Sequence, residues 1–206
     1  MTATTSVRLD TRSARATSAL GERLGALLAP GDVVALVGDL GAGKTQLVRG
    51  ACAGAGVRPQ EVSSPSFAIV ATYAGRIPVH HADLYRIGDE DELYGTGFGD
   101  LVGGAGALIV EWADRIPSAL PEEKLTIRLA HDERRPDVRH LDIEGVGDRH
   151  AELARMLGRP GPGRGPGPRP GHRPGTKQTR SKSKSKSKSR SRSTSASRSK
   201  TRTRRR

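Results

Sequence analysis

Cysteine is almost absent. Cys52 stands alone, so no disulfide forms within the chain, which suits a reducing compartment. Its surroundings favour a small buried apolar residue over a reactive thiol. Long hydrophobic runs are missing too. The longest near the start is Val33–Val37, far short of the roughly 20 residues that span a bilayer. The first residues are rich in Thr, Ser and Arg but lack the apolar centre of an export signal. These absences lead us to expect a soluble, cytoplasmic protein with no membrane contact.

Aromatics are scarce at 3%, and none follows Trp112. The chain beyond it therefore has no ring on which a base could stack. Acids are missing from the last segment: all 22 Asp and Glu lie at or before Glu152. Of 35 Lys and Arg, 18 lie from Arg159 to Arg206. Residues 1–158 thus carry 17 basic and 22 acidic side chains, a net −5, while the tail carries +18. The overall +13 belongs to the tail alone. We therefore divide the chain into a domain over 1–158 and a tail over 159–206. The tail is Gly, Pro and Arg, then Arg or Lys alternating with Ser or Thr. It has no apolar residue larger than Ala196 to offset the entropy of ordering it. We expect it to be disordered and to bind polyanions such as tRNA without sequence preference, weakening steeply with salt; a solvated, solubilising tail is the alternative.

Periodicity organises the domain. Leu20, Leu24, Leu27 and Leu28 predict an amphipathic helix over 13–28 with Ser13 as its cap, stopped by Pro30-Gly31. Val33–Val37 predicts a doubly buried strand and Thr45–Ala55 a helix. Phe67–Thr72 and Ile77–Leu84 predict a hairpin, Asp89–Leu93 a short acidic helix, and Ala107–Val110 a second apolar strand. Leu125–Ala130 and Val138–Ile143 predict another hairpin, and Asp148–Leu157 a closing helix.

Between the first strand and its helix lies Gly38-Asp39-Leu40-Gly41-Ala42-Gly43-Lys44-Thr45, a full G-x-x-x-x-G-K-[ST] match. Its glycines let backbone N–H groups wrap an anion, and the helix start adds a positive dipole end. Lys44 can reach β- and γ-phosphates, and the Thr45 hydroxyl can bind magnesium. No N-K-x-D base-reading motif of the guanine-selective kind occurs, so ATP with Mg2+ is the expected cofactor.

Hydrolysis also needs a carboxylate on the magnesium side and a group that orients water. Glu111 ends the apolar strand and is the first candidate; Asp83, in His80-His81-Ala82-Asp83-Leu84-Tyr85-Arg86, is the second. For Asp83 an ion pair with Arg86 is an equal alternative. His80 and His81 lack further ligands at zinc spacing. Trp112 reads as core or interface. Ser63–Phe67 is a polar loop that could meet the γ-phosphate as a switch segment does.

The order GDLGAGKT, SPSF, HADLYR and an apolar strand ending in EW closely resembles the TsaE family, over about residues 12–145. Thr17 also matches a threonine that members tend to carry, and the resemblance implies that it helps bind the nucleotide. The resemblance implies a small bacterial ATPase that supports the threonylcarbamoyl modification of the adenosine beside the anticodon of certain tRNAs. Its partners would be TsaD and TsaB, with tRNA met indirectly or through the tail. By carry-over, residues 38–45 hold the phosphates, Thr45 and Glu111 hold magnesium, and Asp83 assists hydrolysis. Ser66 stands where the family usually has threonine; its hydroxyl survives. The tail has no counterpart in the compact members.

The implied fold is α/β, a P-loop NTPase-like three-layer sandwich with a mixed parallel/antiparallel sheet. Two other readings stay open. A small-molecule kinase would need an arginine-bearing lid, yet Arg86 to Glu111 is short, acidic and free of intervening arginine. A nucleic-acid-binding protein led by its tail would leave the phosphate loop unexplained.

Overall fold

A strand with no polar face has to be covered on both sides. β2 (Val33–Val37) is such a strand, and the computed structural model, which describes residues 2–58, 61–62 and 69–160, places it near the middle of a seven-stranded sheet. The Ser63–Phe67 loop and the chain from residue 161 onward lie outside the described residues.

In chain order the elements are β1 (Thr4–Thr11), α1 (Ala14–Leu27), β2, α2 (Lys44–Gly54), β3 (Val70–Ala74), β4 (Pro78–Asp83), α3 (Glu90–Tyr94), β5 (Ala107–Glu111), β6 (Leu125–His131), β7 (Arg139–Val146) and α4 (Asp148–Gly158). The sheet order is β1-β7-β6-β2-β5-β4-β3. β2 is parallel to β5 and β6, and β5 is parallel to β4. The outer pairs β1–β7, β6–β7 and β3–β4 are antiparallel. The expected mixed sheet and three layers are present. One core, with Val34, Leu36 and Ile109, packs against α1, α2 and α4. The other, with Val33, Ala35 and Leu108, packs against Leu93 and Phe98 on the opposite side.

Ser13 caps α1 as expected, its side chain accepting from Ala16 N. Cys52 is fully buried, and burial pushes its thiol up to about 12. β1 is an addition: no residue pattern before Ser13 predicts a strand. Only Val7 and Leu9 are large apolar residues in it, and seven of its eight residues keep some exposure. It forms by pairing with β7, from Thr4↔Val146 to Thr11↔Arg139. The first hairpin strand also runs later than expected, at Val70–Ala74.

α2 carries the phosphate loop at its N-terminus, and α1 fixes α2. The two helices meet backbone to backbone through four glycines. A Cβ at Gly21 or Gly25 would overlap the carbonyl oxygen of Leu47 or Ala51, and one at Gly50 or Gly54 that of Ser18 or Glu22. Helix propensity alone makes Gly→Ala favourable by about 1 kcal/mol. The close approach reverses the sign. Gly25→Ala is expected to destabilise the fold by about 1–3 kcal/mol, the usual scale of overpacking, read as a lower urea midpoint. A midpoint at or above wild type would refute the backbone contact.

Candidate nucleotide-binding site

Because β2, β4 and β5 are parallel, their C-terminal ends share one sheet edge, where open α/β sheets bind ligands. The loop leaves β2 at that edge. Gly38 and Gly43 have φ of 144° and 108°, a region that only glycine enters cheaply. A Cβ on Gly38 would also strike Leu129 O. Gly43 caps α2 without a side-chain bond, so the first N–H groups of the helix are available to an anion.

A pocket of about 410 Å³ opens there. It is lined by residues 40–46, Arg49, Asp83, Tyr85, Glu111 and Trp112. The structure thus brings Leu40 to Thr45 together with Asp83 and Glu111, with Gly38 and Asp39 just behind. Leu40 lines the pocket and is 78% exposed. Thr17 does not line the pocket. It is buried behind the loop, its methyl 3.8 Å from where a Cβ of Gly43 would sit. Its hydroxyl is 2.7 Å from that of Thr11.

Lys44 is folded back on its own loop. Nζ donates to Gly38 O at 2.5 Å and Asp39 O at 3.0 Å. It also lies 3.6 Å from the centre of the Trp112 ring, within cation–π range. Burial pushes its ammonium below the ordinary lysine range, opposed by Glu111, Asp114, Asp83 and Asp39. Trp112 holds this position with φ 58°, the only positive φ outside glycine among the described residues. That conformation is strained for a bulky side chain. Tyr85 packs on Trp112, ring centres 4.9 Å apart.

Glu111 is 2% exposed. Oε2 accepts from the Thr45 hydroxyl at 2.9 Å, and Oε1 lies 2.9 Å from His81 Nε2. Asp83 is the register partner of Glu111 across β4–β5, and its Oδ1 accepts from Tyr85 N at 3.0 Å.

Three residues here escaped the sequence reading. His81 enters the sequence argument only through zinc spacing, though it stands two residues before Asp83, on the same strand face. Trp112, expected as core or interface, lies at the pocket against Lys44. Arg139 donates from Nε to Ala42 O at 3.1 Å and braces the loop from β7; nothing local marks it. Among the described residues no three His, Cys, Asp or Glu side chains are grouped to hold a metal by themselves. Nor is any helix long and apolar enough to cross a membrane.

The family model for threonylcarbamoyl adenosine biosynthesis protein TsaE matches residues 11–140. The tRNA threonylcarbamoyladenosine biosynthesis protein TsaE of Treponema pallidum is 40% identical over 123 residues, 60% of this chain and 90% of that protein. The protein of the same description from Bacillus subtilis is 39% identical over 146 residues, 69% and 88% of the two chains. The one from Streptomyces coelicolor is 38% identical over 138 residues, 64% and 92%. A crystal structure of Bacillus subtilis YdiB superposes with a TM-score of 0.60 at 32% identity, over 76% of this chain and 95% of that one.

Proposed function

Since the chain belongs to the TsaE family, we propose that it serves formation of the threonylcarbamoyl group on tRNA adenosine as an ATP-binding, ATP-hydrolysing accessory to a TsaD–TsaB pair. The observation that carries this reading is the buried Glu111 carboxylate, bonded to Thr45 at the end of the strand beside the phosphate loop. A hydroxyl and a carboxylate are hard oxygen donors, and too few to cage an ion alone. That fits Mg2+, which takes one or two protein oxygens and completes its shell with phosphates and water. Bound, Mg2+ would supply charge stabilisation on the phosphates. Thr45 and Glu111 would hold it.

The remaining work falls to the chain's own groups. The N–H groups of residues 41–45 bind β-phosphate oxygens. Lys44 exchanges its two carbonyl partners for phosphate oxygens. Asp83, beside Glu111, orients the attacking water. Among the described residues Leu40 and Tyr85 stay exposed at the pocket rim, a surface for a partner to cover, and water exclusion is left to that partner. Free turnover is therefore slow. The 18 positive charges from Arg159 onward support a contact of the tail with tRNA phosphates.

ATP turnover measured with and without the TsaD–TsaB pair tests the reading. It should rise severalfold or more with the pair, and release free phosphate. Unchanged turnover would defeat the accessory role. Phosphate transferred to a small acceptor would establish a kinase instead.

A further inference from the structure

His81 is a buried polar side chain for which the fold itself has little use. It is fully buried on β4, opposite Ile109 of β5, on the face that Val34, Leu36, Val79 and Ile109 fill with apolar atoms. β4 and β5 are already joined by a ladder of five residue pairs. A histidine adds nothing to that pairing, and burying a polar ring costs free energy unless its atoms are bonded.

Only one of its ring nitrogens is bonded. Nε2 lies 2.9 Å from Glu111 Oε1. Nδ1 is buried and has no partner among the described residues. This fixes where the proton sits. A proton on Nδ1 would be an unpaired buried donor, at a cost of about 1–3 kcal/mol. It would also leave the Nε2 lone pair facing a carboxylate oxygen. Nε2 therefore carries the proton and donates it to Oε1.

The two oxygens of Glu111 are thereby given different tasks. Oε1 is tied to the core by His81. Oε2 is left at the pocket, beside the Thr45 hydroxyl. We infer that His81 is a positioning residue that holds the Glu111 carboxylate in the rotamer presenting Oε2 to a divalent cation. This rests on the nucleotide-binding role proposed above and assigns how its cation-side carboxylate is oriented. Hydrogen-bonded partners of a metal-holding carboxylate commonly govern metal affinity by 10–100-fold when removed.

The test uses two variants of equal length and shape. In His81→Gln the amide nitrogen is as many bonds from Cα as Nε2 is in histidine, so it can donate to Oε1. His81→Met matches glutamine in size but has no N–H. Each full-length protein is titrated with a fluorescent ATP analogue in EDTA, then with Mg2+ at fixed nucleotide, with the ligand-free melting temperature as a check on folding.

The expected result is separable. Mg2+-free nucleotide affinity stays within about twofold in both variants, because the loop amides and Lys44 are untouched. The Mg2+ concentration for half-maximal response rises about 10–100-fold in His81→Met and stays within about threefold of wild type in His81→Gln. Equal Mg2+ responses in the two variants would overturn the role, as would an equal loss of Mg2+-free affinity in both. A wild-type protein that binds no nucleotide overturns the proposed function and this role with it.

Discussion

Lys44→Ala will abolish measurable nucleotide binding, weakening the dissociation constant for ATP at least about 100-fold. Lys44 Nζ already sits at the mouth of the loop, held by Gly38 O and Asp39 O and covered by the Trp112 ring. Among the described residues no other lysine or histidine lines the pocket, and Arg49 is an exposed residue one turn further along α2. A hydrogen bond to a charged group contributes about 1.5–3 kcal/mol. Two lost contacts to phosphate oxygens come to about 3–6 kcal/mol, or roughly 10²- to 10⁴-fold. Calorimetric titration with ATP checks the number, and circular dichroism checks that the variant is folded. The contrary outcome, binding within tenfold of wild type, would mean that the folded-back position of Lys44 is its permanent one. The loop would then bind anions through its amides alone.

The loop was legible because its chemistry is local. Gly38, Gly43, Lys44 and Thr45 are specified by adjacent residues, and the flanking apolar strand and helix identify the context. The buried strands β2 and β5 were legible for the same reason, since Val33–Val37 and Ala107–Val110 have no polar face. What depended on register was not legible. Asp83 stands opposite Glu111, and His81 opposite Ile109, only because β4 and β5 pair in one frame. The sequence offered both acids and both histidines without saying which would meet. β1 was invisible because its pairing with β7 is far away in sequence and its own residues are largely polar. The glycines of α1 and α2 read as weak points in helices. Their four-residue spacing, Gly21–Gly25 and Gly50–Gly54, was the available sign of a close crossing. The positive φ of Trp112 has no sequence signature, since glycine is the residue expected there. The switch expected at Ser63–Phe67 falls outside the described residues and stays an expectation.

Glu111→Gln should separate binding from turnover. Glutamine keeps the shape of the side chain, and its carbonyl oxygen can still accept from His81 Nε2. Its amide can face the Thr45 hydroxyl, which turns to accept. The bonds of the site survive, and what disappears is one buried negative charge. Nucleotide is held by the loop amides and Lys44, which the substitution does not touch, and loss of an acid even relieves repulsion of the phosphates. Affinity for ATP is therefore expected within about fivefold of wild type, on either side. Turnover depends on a cation held firmly as charge moves between oxygens, and removing one such electrostatic element costs about 10²–10³-fold, or roughly 2.7–4 kcal/mol. Single-turnover hydrolysis at saturating ATP and Mg2+, in the presence of the TsaD–TsaB pair, measures the chemical step directly. An Asp83→Asn variant in the same assay divides the roles: if Asp83 orients water, its loss lowers turnover without raising the Mg2+ requirement, whereas Glu111→Gln raises that requirement as well. Wild-type turnover in Glu111→Gln would remove the residue from the site, and with it the reason for its burial between Thr45 and His81.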